Sequence, residues 1–186
     1  MTSLPGPVKI MLIRHAEKPD AMPPFGVKPD GTANKHSILV RGWQRAGALV
    51  PFFVRPADPK VATPEAIFAA TTAPDPGPGL SKDDARSLRP VQTIGPLAAK
   101  LGCPLRTDIS VGDEDKLIAA LRATQGVVLV AWEHKRIPTI AQAFSAKAPA
   151  DWGDGFDVVW VLDRNPDRTY DLSIVYQALL AGDRAG

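Results

Sequence analysis

Val8-Lys9-Ile10-Met11-Leu12-Ile13 is a short, nearly continuous apolar run that stops abruptly at Arg14-His15-Ala16-Glu17. A run of that length without alternation predicts a strand buried on both faces. Ala66 to Ala70 and Val127 to Trp132 read the same way, the latter ending in Glu133-His134-Lys135-Arg136. Elsewhere the apolar spacing becomes three and four. Trp43, Ala46, Leu49, Val50 and Phe53 predict an amphipathic helix from Arg41 to Val54. Ile94, Leu97, Ala98 and Leu101 predict another, beginning immediately after Arg89 with Pro90 in its first turn and stopping at Gly102. Asp113 to Leu121 predicts a third, with acids where the helix dipole favours them, and Pro138 to Phe144 a fourth. Two late strands, Asp157 to Leu162 and Tyr170 to Gln177, flank the turn signal Asp163-Arg164-Asn165-Pro166-Asp167.

Proline and glycine punctuate this pattern. Pro19 to Thr32 cannot continue a helix or a central strand and is expected on the surface. Residues 71–88 form a second Pro-, Gly- and Asp-rich stretch, expected as a long loop over or near a functional site. The tail, residues 181–186, is expected to fray. Strands alternating with helices predict an α/β sheet with right-handed crossovers, and residues 1–186 read as a single domain.

Composition narrows the functional classes. The 186 residues carry 22 Lys+Arg and 20 Asp+Glu, a formal +2, with no basic run to track a phosphate backbone, which argues against nucleic acid as partner. At 45% hydrophobic and 23% charged residues the chain has the make-up of a globular domain rather than a disordered one. Its apolar runs are too short to cross a bilayer, so no membrane role is expected. With one cysteine, Cys103, it forms no internal disulfide, and its start lacks a leader pattern; a cytoplasmic location is the expectation.

In open α/β sheets ligands bind beyond the carboxyl ends of the strands. His15 and His134 both follow buried apolar runs there, each beside basic residues, Arg14 and Lys135-Arg136. Arg89 stands at a helix N-terminus, where unpaired N–H groups and the positive dipole end favour an anion; a phosphate is the expected ligand. Each of these residues taken singly is equally consistent with a solvated loop or cap.

Together they resemble a known family. Ile10 to Glu17 resembles the Arg-His-Gly signature of the histidine phosphatase superfamily, also called phosphoglycerate-mutase-like, with Ala16 in the glycine position. Leu39-Val40-Arg41-Gly42-Trp43-Gln44-Arg45-Ala46 looks like its Leu-Thr-x-x-Gly-x-x-Gln-Ala helix start, and Ser87-Leu88-Arg89-Pro90-Val91-Gln92-Thr93 like its Ser-x-Arg-x-x-Gln-Thr element. Val127 to His134 resembles the strand that delivers its second histidine. The resemblance implies a three-layer α/β/α sandwich with a mostly parallel central sheet. It also implies a phosphohistidine mechanism: His15 as nucleophile, Arg14 and Arg89 holding the phosphoryl oxygens, His134 protonated as a further donor, and water hydrolysing phospho-His15. Glu17 and Lys18 are the other implied substrate contacts. No metal and no cofactor are expected, the partner being a small phosphorylated substrate or a phosphoprotein.

The general acid is the open position. Glu114 and Asp113 lie in the interval where the mutase-like branch keeps its acid, but both also fit simple first-turn acids of a helix. Glu133 precedes His134, in reversed order relative to the acid-phosphatase branch, and Glu17 is a further candidate. If no acid reaches the leaving group, anhydrides, aryl phosphates or phosphohistidine become the preferred substrates. Two alternatives to a phosphatase stay open: a mutase-like phosphotransferase, and a phosphate-binding regulatory module with little turnover. His36 is expected to be solvated, or to join a pocket rim with Asn34 and Lys35. Trp132, Trp152, Phe156 and Trp160 read as core aromatics or as an aromatic wall, and Trp43 as packing.

Overall fold

The computed structural model describes residues 6–21, 23–71 and 88–185. The expected 71–88 loop therefore lies, for residues 72–87, outside the described residues. Six strands and four helices follow in the order β1 (Lys9–Arg14), α1 (Val40–Val54), β2 (Ala66–Ala69), α2 (Arg89–Leu101), β3 (Leu105–Arg106), α3 (Glu114–Ala123), β4 (Val127–Trp132), α4 (Ile137–Gln142), β5 (Val158–Arg164) and β6 (Tyr170–Tyr176).

The strands form one sheet in the order β3-β2-β4-β1-β5-β6. β1, β2, β3 and β4 run parallel, while β5 and β6 pair antiparallel at one edge. Alternation within the apolar runs assigns each side chain to a face. Ile10 and Leu12 of β1 pack with Val128, Val130 and Trp132 of β4 against Leu117 and Leu121 of α3 and Ile137 and Ile140 of α4. Met11 and Ile13 pack with Leu129 and Ala131 against Leu49 and Phe53 of α1 and Ile94 and Leu97 of α2. Both faces of the sheet are thus covered, as parallel sheets require, and the architecture is the expected three-layer α/β/α sandwich.

β3 was not anticipated, because a two-residue edge strand leaves no periodic signal in the sequence. Trp132, Trp152 and Trp160 pack in the core, the default expectation for aromatics at strand positions, with the Trp152 and Trp160 rings 4.8 Å apart. The tail does not fray from residue 181, since Asp183 hydrogen-bonds to Arg45, and Arg184 to Asp157. Gly102 does end α2, in the left-handed conformation at φ 63° that glycine adopts without strain.

Candidate active site

The ends of β1 and β4 lie side by side, because Arg14 pairs in register with Trp132 and the His15 amide donates to the Trp132 carbonyl at 3.2 Å. The polar residues that terminate both runs therefore emerge at one point of the sheet edge. α2 begins at the same edge with Arg89 in its first turn. The parallel pairing thus gathers Arg14, His15, Arg89 and His134, and Arg14, Arg89 and His134 all lie close enough to His15 for their charges to act on it.

His15 is buried, 4% exposed, and its Nδ1 donates to the Ala16 carbonyl at 2.8 Å. A carbonyl only accepts, so Nδ1 carries the proton and Nε2 keeps its lone pair. Burial, then the neighbouring cations, push its pKa down to about 3, so the ring is neutral at physiological pH. The turn holding it is braced from α2: the Ala16 amide donates to Thr93 Oγ1 at 2.8 Å, and the Thr93 hydroxyl donates to the Arg89 carbonyl at 2.7 Å. Gln92 adds a second brace, accepting from the Ile38 amide and donating to Ser37 Oγ. α1 closes in from the other side at Gly42, where a Cβ would stand 2.8 Å from the Glu17 carbonyl oxygen. Only glycine permits that approach.

Arg14 is 5% exposed; it donates to the Asp154 carbonyl at 2.6 Å and stacks on Phe156, 3.9 Å from the ring centre. Arg89 donates to the Lys35 carbonyl at 2.8 Å. Burial lowers the pKa of both guanidiniums, as expected of cations held away from water. Three buried nitrogens, Arg14 Nε, Arg89 Nε and His134 Nδ1, have no hydrogen-bond partner among the described residues. Orphaned buried polar atoms are costly, and three of them together, two on guanidiniums, suit an oxyanion.

His134 is held toward its neutral form. Burial and the charge of Arg14 lower its pKa, outweighing Glu133, whose Oε1 is 3.2 Å from Nδ1 but outside hydrogen-bonding geometry. The ring is therefore neutral at physiological pH. The acid candidates also separate. Glu114 is buried and its Oε1 accepts from the Gly112 amide and Trp132 Nε1, both at 3.0 Å, so it ties α3 to the end of β4. Asp113 caps nothing with its side chain and pairs with Lys116 on the surface. Glu17, expected as a substrate contact, is instead committed to Arg45 and Arg41. Lys18 stays at the rim, paired to Asp20 at 3.7 Å and near enough to influence His134. His36 and Lys35 line a side pocket of about 240 Å³ with Asp20 and Arg89.

Residues missed in the sequence are those that hold the frame. Arg45, 2% exposed on the buried face of α1, bonds Glu17, Gln177 and Asp183. Burial opposes its charge, but the bonds from Asp183 and Glu17 outweigh that and raise its pKa. An arginine on the apolar side of an amphipathic helix was the available signal, since such a group must have buried carboxylate partners. Asp154 carried none, lying in an irregular segment; Phe156, named among the aromatics, lies against Arg14 and His15.

No family model matches the sequence, and no curated protein matches it. Among solved structures, the chain is similar to one described as "Structure of the protein histidine phosphatase SixA complexed with tungstate", at 10% identity and a TM-score of 0.56, over 91% of this chain and 97% of that one. The fold is histidine phosphatase-like. The similarity spans nearly all of both chains. No described helix is long and apolar enough to cross a membrane.

Proposed function

We propose that this protein is a metal-independent phosphatase that works through a phosphohistidine on His15. The observation that carries the reading is the convergence of three orphaned buried nitrogens, on Arg14, Arg89 and His134, around a neutral buried histidine. The histidine phosphatase-like fold supports it, as does the description of SixA as complexed with tungstate, a tetrahedral oxyanion.

In this reading His15 Nε2 attacks phosphorus while the bond to the leaving atom breaks and that atom keeps the electron pair. Arg14 and Arg89 neutralise the charge on the phosphoryl oxygens without needing to reorganise. The incoming dianion raises the His134 pKa, so the ring gains a proton as it becomes a donor. Water then attacks phospho-His15, the N–P bond breaks, its pair returns to Nε2, and inorganic phosphate leaves. Because the Glu114 and Glu17 carboxylates are engaged elsewhere, substrates whose leaving group departs without a strong acid fit best. Phosphohistidine, acyl phosphates and aryl phosphates are that class, whether carried on a small molecule or a phosphoprotein.

The test is phosphate release from p-nitrophenyl phosphate and a metabolite panel in EDTA, for wild type and His15→Ala. Turnover lost in the variant is the expected result. Activity surviving in His15→Ala overturns the nucleophile, and phosphate binding without release in wild type favours a regulatory module.

A further inference from the structure

At the sheet edge opposite His15 is a cavity of about 360 Å³ lined by Gly6, Arg122, Phe144, Arg164, Arg168 and Tyr170. Gly6 precedes β1 and His15 follows it, so the six residues of the strand separate the two places, by roughly 20 Å at strand rise. The pairing Arg164 with Tyr170 brings the end of β5 and the start of β6 to this edge, and the C-terminal turn of α3 brings Arg122.

Three arginines thus line one concavity, and no carboxylate among the described residues lines it with them. Asp163 is held by Lys9, and Asp167 Oδ1 is occupied by the amide and hydroxyl of Thr169. Arg122 donates to the Ala143 carbonyl at 2.9 Å, and Arg164 to the Gly6 carbonyl at 2.8 Å, which fixes both guanidiniums in place. Arg168 stands at φ 72°, in the left-handed region where glycine or asparagine is the unstrained choice. The turn between β5 and β6 holds that conformation, with the Arg168 amide donating to the Asn165 carbonyl at 2.9 Å, and so places Arg168 on the wall of the concavity. The remaining wall is aromatic: Phe144 and Tyr170 meet edge to face, 5.3 Å apart, and the Tyr170 hydroxyl is committed to the Pro7 carbonyl. That volume lies at the small end of small-molecule sites.

We propose that this cavity is a second ligand site, separate from the His15 pocket, for a nucleotide-sized anion: phosphate on Arg122, Arg164 and Arg168, and a planar ring against Phe144 and Tyr170. It does not rest on the phosphatase reading.

The experiment is calorimetric titration of the full chain with ADP, adenosine and inorganic phosphate, in a His15→Ala/Arg89→Gln background so that nothing is turned over and the His15 pocket is weakened for anions. Saturable ADP binding is expected in that background, weakened tenfold or more by adding Arg168→Gly or Arg122→Gln. Arg168→Gly suits the backbone at that position, so an unchanged melting temperature with weaker ADP binding separates ligand loss from unfolding. No saturable ADP binding at millimolar concentration overturns the proposal. So does unchanged affinity on adding Arg168→Gly, or ADP binding that appears only when Arg89 is restored, which would move ADP to the His15 pocket. Phosphate binding as tightly as ADP overturns the ring assignment, and adenosine doing so overturns the role of the arginines.

Discussion

The Ala16 amide and the Thr93 hydroxyl are 2.8 Å apart, and this single bond couples the turn that carries His15 to the helix that carries Arg89. Removing the acceptor leaves a buried N–H unpaired. Thr93→Val is expected to lower stability by about 1–3 kcal/mol, and to reduce kcat more than it raises KM, with Thr93→Ser restoring both. Chemical denaturation alongside steady-state kinetics checks this. Equal kcat in Thr93→Val would show that the bond does not position the turn.

His15 makes the fold acid-sensitive. Its folded pKa of about 3 lies below the ordinary 6.5, so between those values the unfolded chain binds more protons. Its contribution is complete above pH 6.5 and is lost as pH falls toward 3. By pH 5 the loss is about 2 kcal/mol. Unfolding free energies of wild type and His15→Ala, measured at pH 7 and pH 5, should differ in slope by that amount, since other groups titrate in both. Parallel slopes would refute the neutral buried histidine.

Arg89 should trade stability for activity. Its guanidinium is desolvated and its Nε unpaired among the described residues. Arg89→Met is expected to cost about 10²–10³ in kcat/KM, while the melting temperature does not fall. A variant that loses both together would mean that Arg89 serves the fold.

Arg45 should behave oppositely. It is buried between Glu17 and Asp183, and Arg45→Ala leaves both carboxylates with only the more exposed Arg41 as ion-pair partner, at about 3–5 kcal/mol for a broken buried pair. Arg45→Lys recovers only part, because an ammonium lacks the planar fork. A loss below about 1 kcal/mol, the level of a surface pair, would contradict the network.

The leaving group offers a kinetic check. If it departs unassisted, kcat/KM across aryl phosphates falls steeply as the leaving-group pKa rises. A flat dependence would show that an acid is delivered after all, and Glu133→Gln would then identify whether it stands beside His134.

The major elements were legible because a sheet buried on both faces needs continuous apolar runs, and those runs break off at Arg14-His15 and Glu133-His134. Arg89 was legible for a related reason: Pro90 and the spacing after it mark the start of α2. The sequence by itself determined the α/β class and the order of every strand and helix except β3, and it put Arg14, His15, Arg89 and His134 at strand and helix ends. Tertiary structure alone decided how they are held. Thr93, Gln92 and Arg45 act through partners 28 to 138 positions away, and Glu17 and Glu114 through others 18 to 28 away. No local pattern records whether a carboxylate will meet a substrate or an arginine. That depends on which side chains the parallel register and the returning tail bring within hydrogen-bond reach, and for Glu17 the partner brought there is Arg45.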